Sequence, residues 1–146
     1  MKAIITAAIL AASATGALAD IIEKEATGTV SEATDRLEAA VGNAGATIFA
    51  RVNHGAGAAS VDMELADAEL LIFGNPMLGT PVMQQDIRAG LVLPLHVLIY
   101  DNDGTTTIMY EEVEEMFDDL DVDEDAEVLE KIEGALDNLT NAAAGT

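Results

Sequence analysis

Two apolar runs, Leu70-Leu71-Ile72-Phe73 and Leu95-His96-Val97-Leu98-Ile99-Tyr100, flank a segment punctuated by Gly74-Asn75-Pro76 at one end and Leu93-Pro94 at the other. No other part of the chain constrains the fold as much. Consecutive apolar residues at strand length point to a strand covered on both faces, central in its sheet. Gly74 lets the chain bend, and Pro76 has no N–H to offer a neighbour, so strand pairing must stop there. Pro76 suits the first position of a helix, where an N–H would go unused. Met77, Leu78, Pro81, Val82 and Met83 then read as a helical turn or two packed on the sheet. Pro94 is admissible as the first residue of the next strand. Asp101-Asn102-Asp103-Gly104 is a hairpin turn, and Thr105 to Tyr110 returns as the partner strand.

Upstream, a strand is expected near Glu25 to Val30, followed by Ser31 as a helix N-cap. Ala33, Leu37, Ala40 and Val41 recur at helical spacing, and Gly42 to Gly45 closes that helix. Ile48, Ala50 and Val52 alternate with Phe49 and Arg51 as in a strand, and the run from His54 to Ser60 reads as a small-residue loop. After Tyr110 two amphipathic stripes appear. Val113, Met116, Phe117 and Leu120 form one, and Leu129, Ile132, Leu136 and Leu139 the other.

The chain opens with Lys2, an uncharged apolar stretch from Ala3 to Ala12 and the small-residue pattern Ala17-Leu18-Ala19. That is the layout of a secretory signal peptide, residues 1–19, with cleavage after Ala19. A membrane anchor would need roughly 20 apolar residues, more than this stretch supplies. The expected product is periplasmic or secreted, with no membrane span after cleavage. It has no Cys, which excludes disulfides, thiolate metal sites and iron–sulfur clusters.

The formal net charge is −21, from 27 acidic and 6 basic residues. Such a surface repels nucleic acid and anionic lipid. With three Phe, two Tyr and no Trp, base-stacking platforms are scarce too. The acidity concentrates after Tyr110, where Lys131 is the only basic residue. The chain therefore divides into a core domain, residues 20–110, and an acidic helical extension, residues 111–146. A solvated face, or adaptation to salt, is the plainer reading of the charge, and attraction of cations the more specific one.

The series from Ala50 to Gly104 resembles a bacterial and archaeal family called domain of unknown function 302. The resemblance rests on His54, Ala58 and Ala59, then Glu69-Leu70-Leu71-Ile72-Phe73-Gly74-Asn75-Pro76. Gly79-Thr80-Pro81, Met83, Ala89-Gly90-Leu91 and Leu93-Pro94-Leu95 continue it. It covers about residues 25 to 110. The resemblance implies an α+β fold: a small, mainly antiparallel sheet of about five strands with helices packed on one side. It implies no established activity. The acidic C-terminal helices depart from the family's usual short ending and rest on this sequence alone.

The first candidate site groups His54 with Phe73, Gly74, Asn75, Pro76, Met77 and Met83, provided that these segments meet in space. Small residues near His54 would let a ligand approach the backbone. This site would serve a non-enzymatic module that binds a small apolar or mixed ligand, or a partner protein. A structural His bonding a loop carbonyl is the plainer role. A copper site from His54 and His96 with Met63, Met77 or Met83 has suitable ligand chemistry, although Met at helical spacing is usually core filling. His54, Ser60 and Asp62 are the residue types of a hydrolase triad, but no GxSxG elbow accompanies them. In the acidic segment, Asp119, Asp121, Asp123 and Glu130 match positions 1, 3, 5 and 12 of a calcium loop. Glu124 stands where such a loop needs Gly, so only weak calcium binding is expected and no other cofactor. A homo-oligomer through the tail stripes or a sheet edge is compatible with the pattern.

Overall fold

The computed structural model describes residues 21–145. The expected leader and its cleavage point after Ala19 lie outside the described residues. Five strands form one sheet: β1 (Ile21–Glu25), β2 (Thr47–Asn53), β3 (Ala68–Gly74), β4 (Leu95–Asn102) and β5 (Thr105–Glu111). Their order is β1-β5-β4-β3-β2, and every pairing is antiparallel. The helices are α1 (Val30–Asn43), α2 (His54–Ala59), α3 (Pro76–Gln85), α4 (Val113–Phe117) and α5 (Glu127–Ala144), with a 3-10 turn at Ile87–Leu91. The fold is α+β, as the resemblance implies.

Alternation along the strands defines the core. Leu71, Phe73, Val97, Ile99 and Ile108 are fully buried on one face, together with Ala33, Leu37 and Val41 of α1 and Ile132 and Leu136 of α5. The opposite face is less buried. There the register places Val52, Leu70, Leu98 and Met109 side by side across four strands. β3 is therefore an interior strand with one fully covered face, and β4 rather than β3 is central. Consecutive apolar residues misled here because half of them sit on this second face, where neighbouring strands shield them in part.

Local chemistry shifts three other boundaries. The first strand ends at Glu25 because Gly28 takes a left-handed φ of 78° and redirects the chain. α1 is capped by Thr29, not Ser31: the Thr29 hydroxyl accepts from Glu32 N–H at 3.2 Å, and the Glu32 carboxylate accepts from Thr29 N–H at 2.8 Å. The backbone and hydroxyl of Thr29 hold the Glu32 carboxyl below its ordinary range. The run after Asn53 is a short helix rather than a loop, started by the Asn53 side chain, which accepts from Ala56 N–H at 2.7 Å. The hairpin between β4 and β5 turns at Asp103 and Gly104, both with positive φ, which is why Asp-Gly suits it.

α5 is fastened along its C-terminal half to β1 and α1. The Lys24 ammonium of β1 donates to Asp137 at 2.7 Å, the Thr140 hydroxyl at 2.9 Å and Asn141 at 2.8 Å. Arg36 of α1 donates to the carbonyls of Ala143 at 2.8 Å and Thr27 at 2.6 Å, which occupies the carbonyl end of α5. α5 thus runs antiparallel to α1, and its apolar stripe completes the core. Leu136 is fully buried in that stripe. Leu136→Ala is expected to cost about 2–5 kcal/mol in chemical denaturation, the range for emptying a packed core position. A loss below about 0.5 kcal/mol, typical of a surface site, would mean that α5 is only loosely attached.

Candidate functional site

The corner after β3 is built by three adjacent residues. Gly74 is the last residue of the strand, and a Cβ there would lie 3.3 Å from Cβ of Pro94 and 3.5 Å from Cε2 of Phe49. The missing side chain lets those two rings close over the strand end. The Asn75 side-chain oxygen accepts from Met77 N–H at 2.9 Å and so caps α3, and Pro76 occupies the first turn of the helix. α3 and the 3-10 turn then lead to Leu93-Pro94-Leu95 at the start of β4.

These segments enclose a groove of about 600 Å³. Phe73 and Leu95 form the floor. Ala44, Ala46 and Phe49 come from the end of α1 and the start of β2, and Leu78 and Met83 from α3. Ile132, Ala135 and Leu139 of α5 close the remaining side. Asn75 and Thr80 are the polar side chains of the lining, and no lining residue is ionisable. The volume lies inside the range of small-molecule sites, roughly 300–1,000 Å³.

Of the residues singled out from sequence, Phe73, Gly74, Asn75, Pro76 and Met83 meet in this groove. His54 and Met77 do not line it. Antiparallel register explains His54: the groove end of β2 is Thr47, paired with Gly74, while Asn53 pairs with Glu69 at the far end. His54 follows Asn53 and is exposed there. Met77 is 80% exposed on α3. The walls from Phe49, Ala44, Ala46 and α5 were not read from sequence. A bulge between Ile48 and Ala50 breaks the alternation at Phe49, and helix-to-helix packing leaves no local pattern.

The other constellations do not converge. Among the described residues no group of three His, Cys, Asp or Glu could hold a metal ion. His96 pairs with Ile72 and is exposed on the second face of the sheet. The Ser60 hydroxyl donates to the Gly57 carbonyl at 2.6 Å, and Asp62 sits in the following turn with a φ of 57°. In the acidic segment, Asp121 N–H donates to Asp86 at 3.0 Å and Asp123 N–H to the Gln85 side chain at 2.9 Å. Asp123 accepts from Asp125 N–H at 3.1 Å, and Glu130 lies in the first turn of α5. Asp119, Asp121, Asp123 and Glu130 therefore do not form a calcium loop's ligand group.

The sequence profile of the family described as Domain of unknown function DUF302 matches residues 22–139, a span that takes in most of α5. The fluoride-specific ion channel FluC 1 of Brucella suis biovar 1 (strain 1330) is 38% identical over 82 residues, covering 56% of this chain and 32% of that protein. FluC 1 of Brucella abortus biovar 1 (strain 9-941) is likewise 38% identical over 82 residues, covering 56% of this chain and 30% of that protein. The chain spans about a third of the length of these curated relatives. In fold it is similar to the crystal structure of an uncharacterized conserved protein DUF302 from Bacillus stearothermophilus. That likeness has a TM-score of 0.73 at 17% identity and covers 84% of this chain and 97% of the other.

Inside the matched span, Asp86 anchors the outer wall of the groove. It is buried, caps the 3-10 turn that carries Gly90, and holds the acidic loop through Asp121 N–H. The Arg88 guanidinium donates to both its oxygens, at 2.9 and 3.0 Å from Nε. That ion pair first, then the backbone N–H groups of Asp121 and Arg88, holds the Asp86 carboxyl well below the usual carboxylate range. A depressed carboxyl stabilises the fold fully above its unfolded value, about 3.9, and loses that contribution as pH falls toward its folded value. In thermal melts, Asp86→Asn is expected to lower Tm near neutrality, with a gap to the natural protein that narrows below about pH 4. A gap that stays constant down to about pH 2 would contradict this role.

Proposed function

The chain belongs to the family described as Domain of unknown function DUF302, and from that premise we propose that it is an exported, non-enzymatic module that binds a small apolar ligand in the groove between α3, α5 and the end of β3. The observation that carries this reading is the lining itself. Side chains from the turn between α1 and β2 and from β2, β3, α3, β4 and α5 converge on one space of about 600 Å³ without an ionisable group. Transfer of an apolar molecule from water into such a space is favourable by about 25 cal/mol per Å² of apolar surface removed from solvent. Polar contacts from Asn75 and Thr80 would orient the ligand and add a smaller share to its affinity. The export half of the proposal rests on the leader layout that ends at Ala19.

A second reading concerns a partner. The Brucella relatives are named as fluoride-specific ion channels, and the matching segment is about a third of each. A module working beside a membrane channel fits that likeness. With a net charge of −21, direct binding of fluoride by this chain is electrostatically disfavoured. The partner reading calls for stoichiometric association of the purified chain with a purified fluoride channel.

The groove is tested by filling it. Ala135→Trp places a ring in the space between α5 and α3. The neutral dye N-phenyl-1-naphthylamine is expected to bind the natural protein with enhanced, blue-shifted emission. The variant should bind at least about tenfold more weakly while keeping a cooperative melt. Equal binding by a folded Ala135→Trp protein would show that the dye sits elsewhere and remove the support for the groove.

A further inference from the structure

We infer that the groove selects uncharged amphiphiles, an apolar body ending in a neutral hydrogen-bond acceptor such as a hydroxyl or carbonyl oxygen, over carboxylates and amines of the same chain length. This rests on the groove being a ligand site. The lining has no ionisable side chain in a protein whose net charge is −21. The basic residues of the flanking segments are already engaged. Arg88 is bound to Asp86, and Lys131 of α5 lies 2.8 Å from Glu127. A carboxylate would enter against the field of the whole protein and find no free cation. An ammonium would be drawn to the surface but find no carboxylate in the lining, and an unpaired buried charge is costly.

The polar end of the lining specifies the head group further. The cap that Asn75 makes on Met77 N–H fixes its amide orientation, with the oxygen taken and the NH₂ left over. Among the described residues neither that NH₂ nor the Thr80 hydroxyl has a protein partner. The groove therefore offers an amide donor and one hydroxyl beside an otherwise apolar surface. Their complement is a neutral oxygen that accepts from Asn75.

The test compares decanol, decanoate and decylamine by native mass spectrometry and dye displacement on the full chain, each below its aggregation threshold, at low and high salt. Decanol is expected to bind at least about tenfold more tightly than either ion. The field's share of the penalty on decanoate should shrink when salt screens it, and the desolvation share, common to both ions, should persist. Decanoate or decylamine binding as tightly as decanol would overturn the selectivity and leave the groove standing. Failure of all three to bind would overturn the groove and this inference with it. Asn75→Asp keeps a capping oxygen but puts a carboxylate where the amide was, so it should shift preference toward decylamine. Thr80→Val should weaken decanol several-fold with an unchanged melt. Unaltered preferences in both folded variants would also overturn the inference.

Discussion

Hydrogen-bond pairing along β3 ends at Gly74, because the Asn75 side chain turns to cap α3 and Pro76 has no N–H to contribute. The rest of the groove depends on that stop. With the strand ended, the chain swings outward through α3 and the 3-10 turn before returning at Pro94. α1 reaches the same end of the sheet and terminates at Asn43, so Ala44 and Ala46 face α3 across a gap. α5 crosses the gap with the small residue Ala135 between Ile132 and Leu139. A larger residue at Gly74 would press on Phe49 and Pro94, which line the groove beside it.

Charge organises the molecule in a complementary way. Its few basic residues act as fasteners rather than as a binding surface. Lys24 and Arg36 tie α5 to β1 and α1, and Arg51 gathers Asp35, Glu38 and the buried Glu69 between α1 and the sheet. Arg88 fixes Asp86, and Lys131 pairs with Glu127 within α5. The acidic excess is left facing solvent, and the groove is left without ions. An acidic exterior around a neutral interior supports the proposal of an apolar, uncharged ligand.

The punctuation of the chain was legible in sequence wherever one residue enforces a backbone state. Gly74-Asn75-Pro76, Pro94 and the Asp103-Gly104 turn gave the strand ends and the hairpin, and the stripe of Leu129, Ile132, Leu136 and Leu139 gave α5. Five of the residues expected at a binding site do meet in the groove. His54 does not, because adjacency in the chain says nothing about which end of an antiparallel pair a residue occupies. The contribution of α5 was hidden for a related reason: its apolar stripe announces a buried helix without naming what it covers. Ser31 was the expected cap, and Thr29 takes that place because Glu32, three residues after it, completes a capping box.

In the proposed function the space at the end of β3, rather than the less buried face of the sheet, takes the apolar ligand. Amide chemical shifts of the ¹⁵N-labelled chain during titration with decanol distinguish the two surfaces. Saturable shifts are expected to cluster at Gly74, Gly79, Gly90, Ala135 and Leu139, which belong to four separate segments of the groove wall. Shifts centred instead on Leu70, Leu98 and Met109, or none below the aggregation threshold of decanol, would contradict that reading.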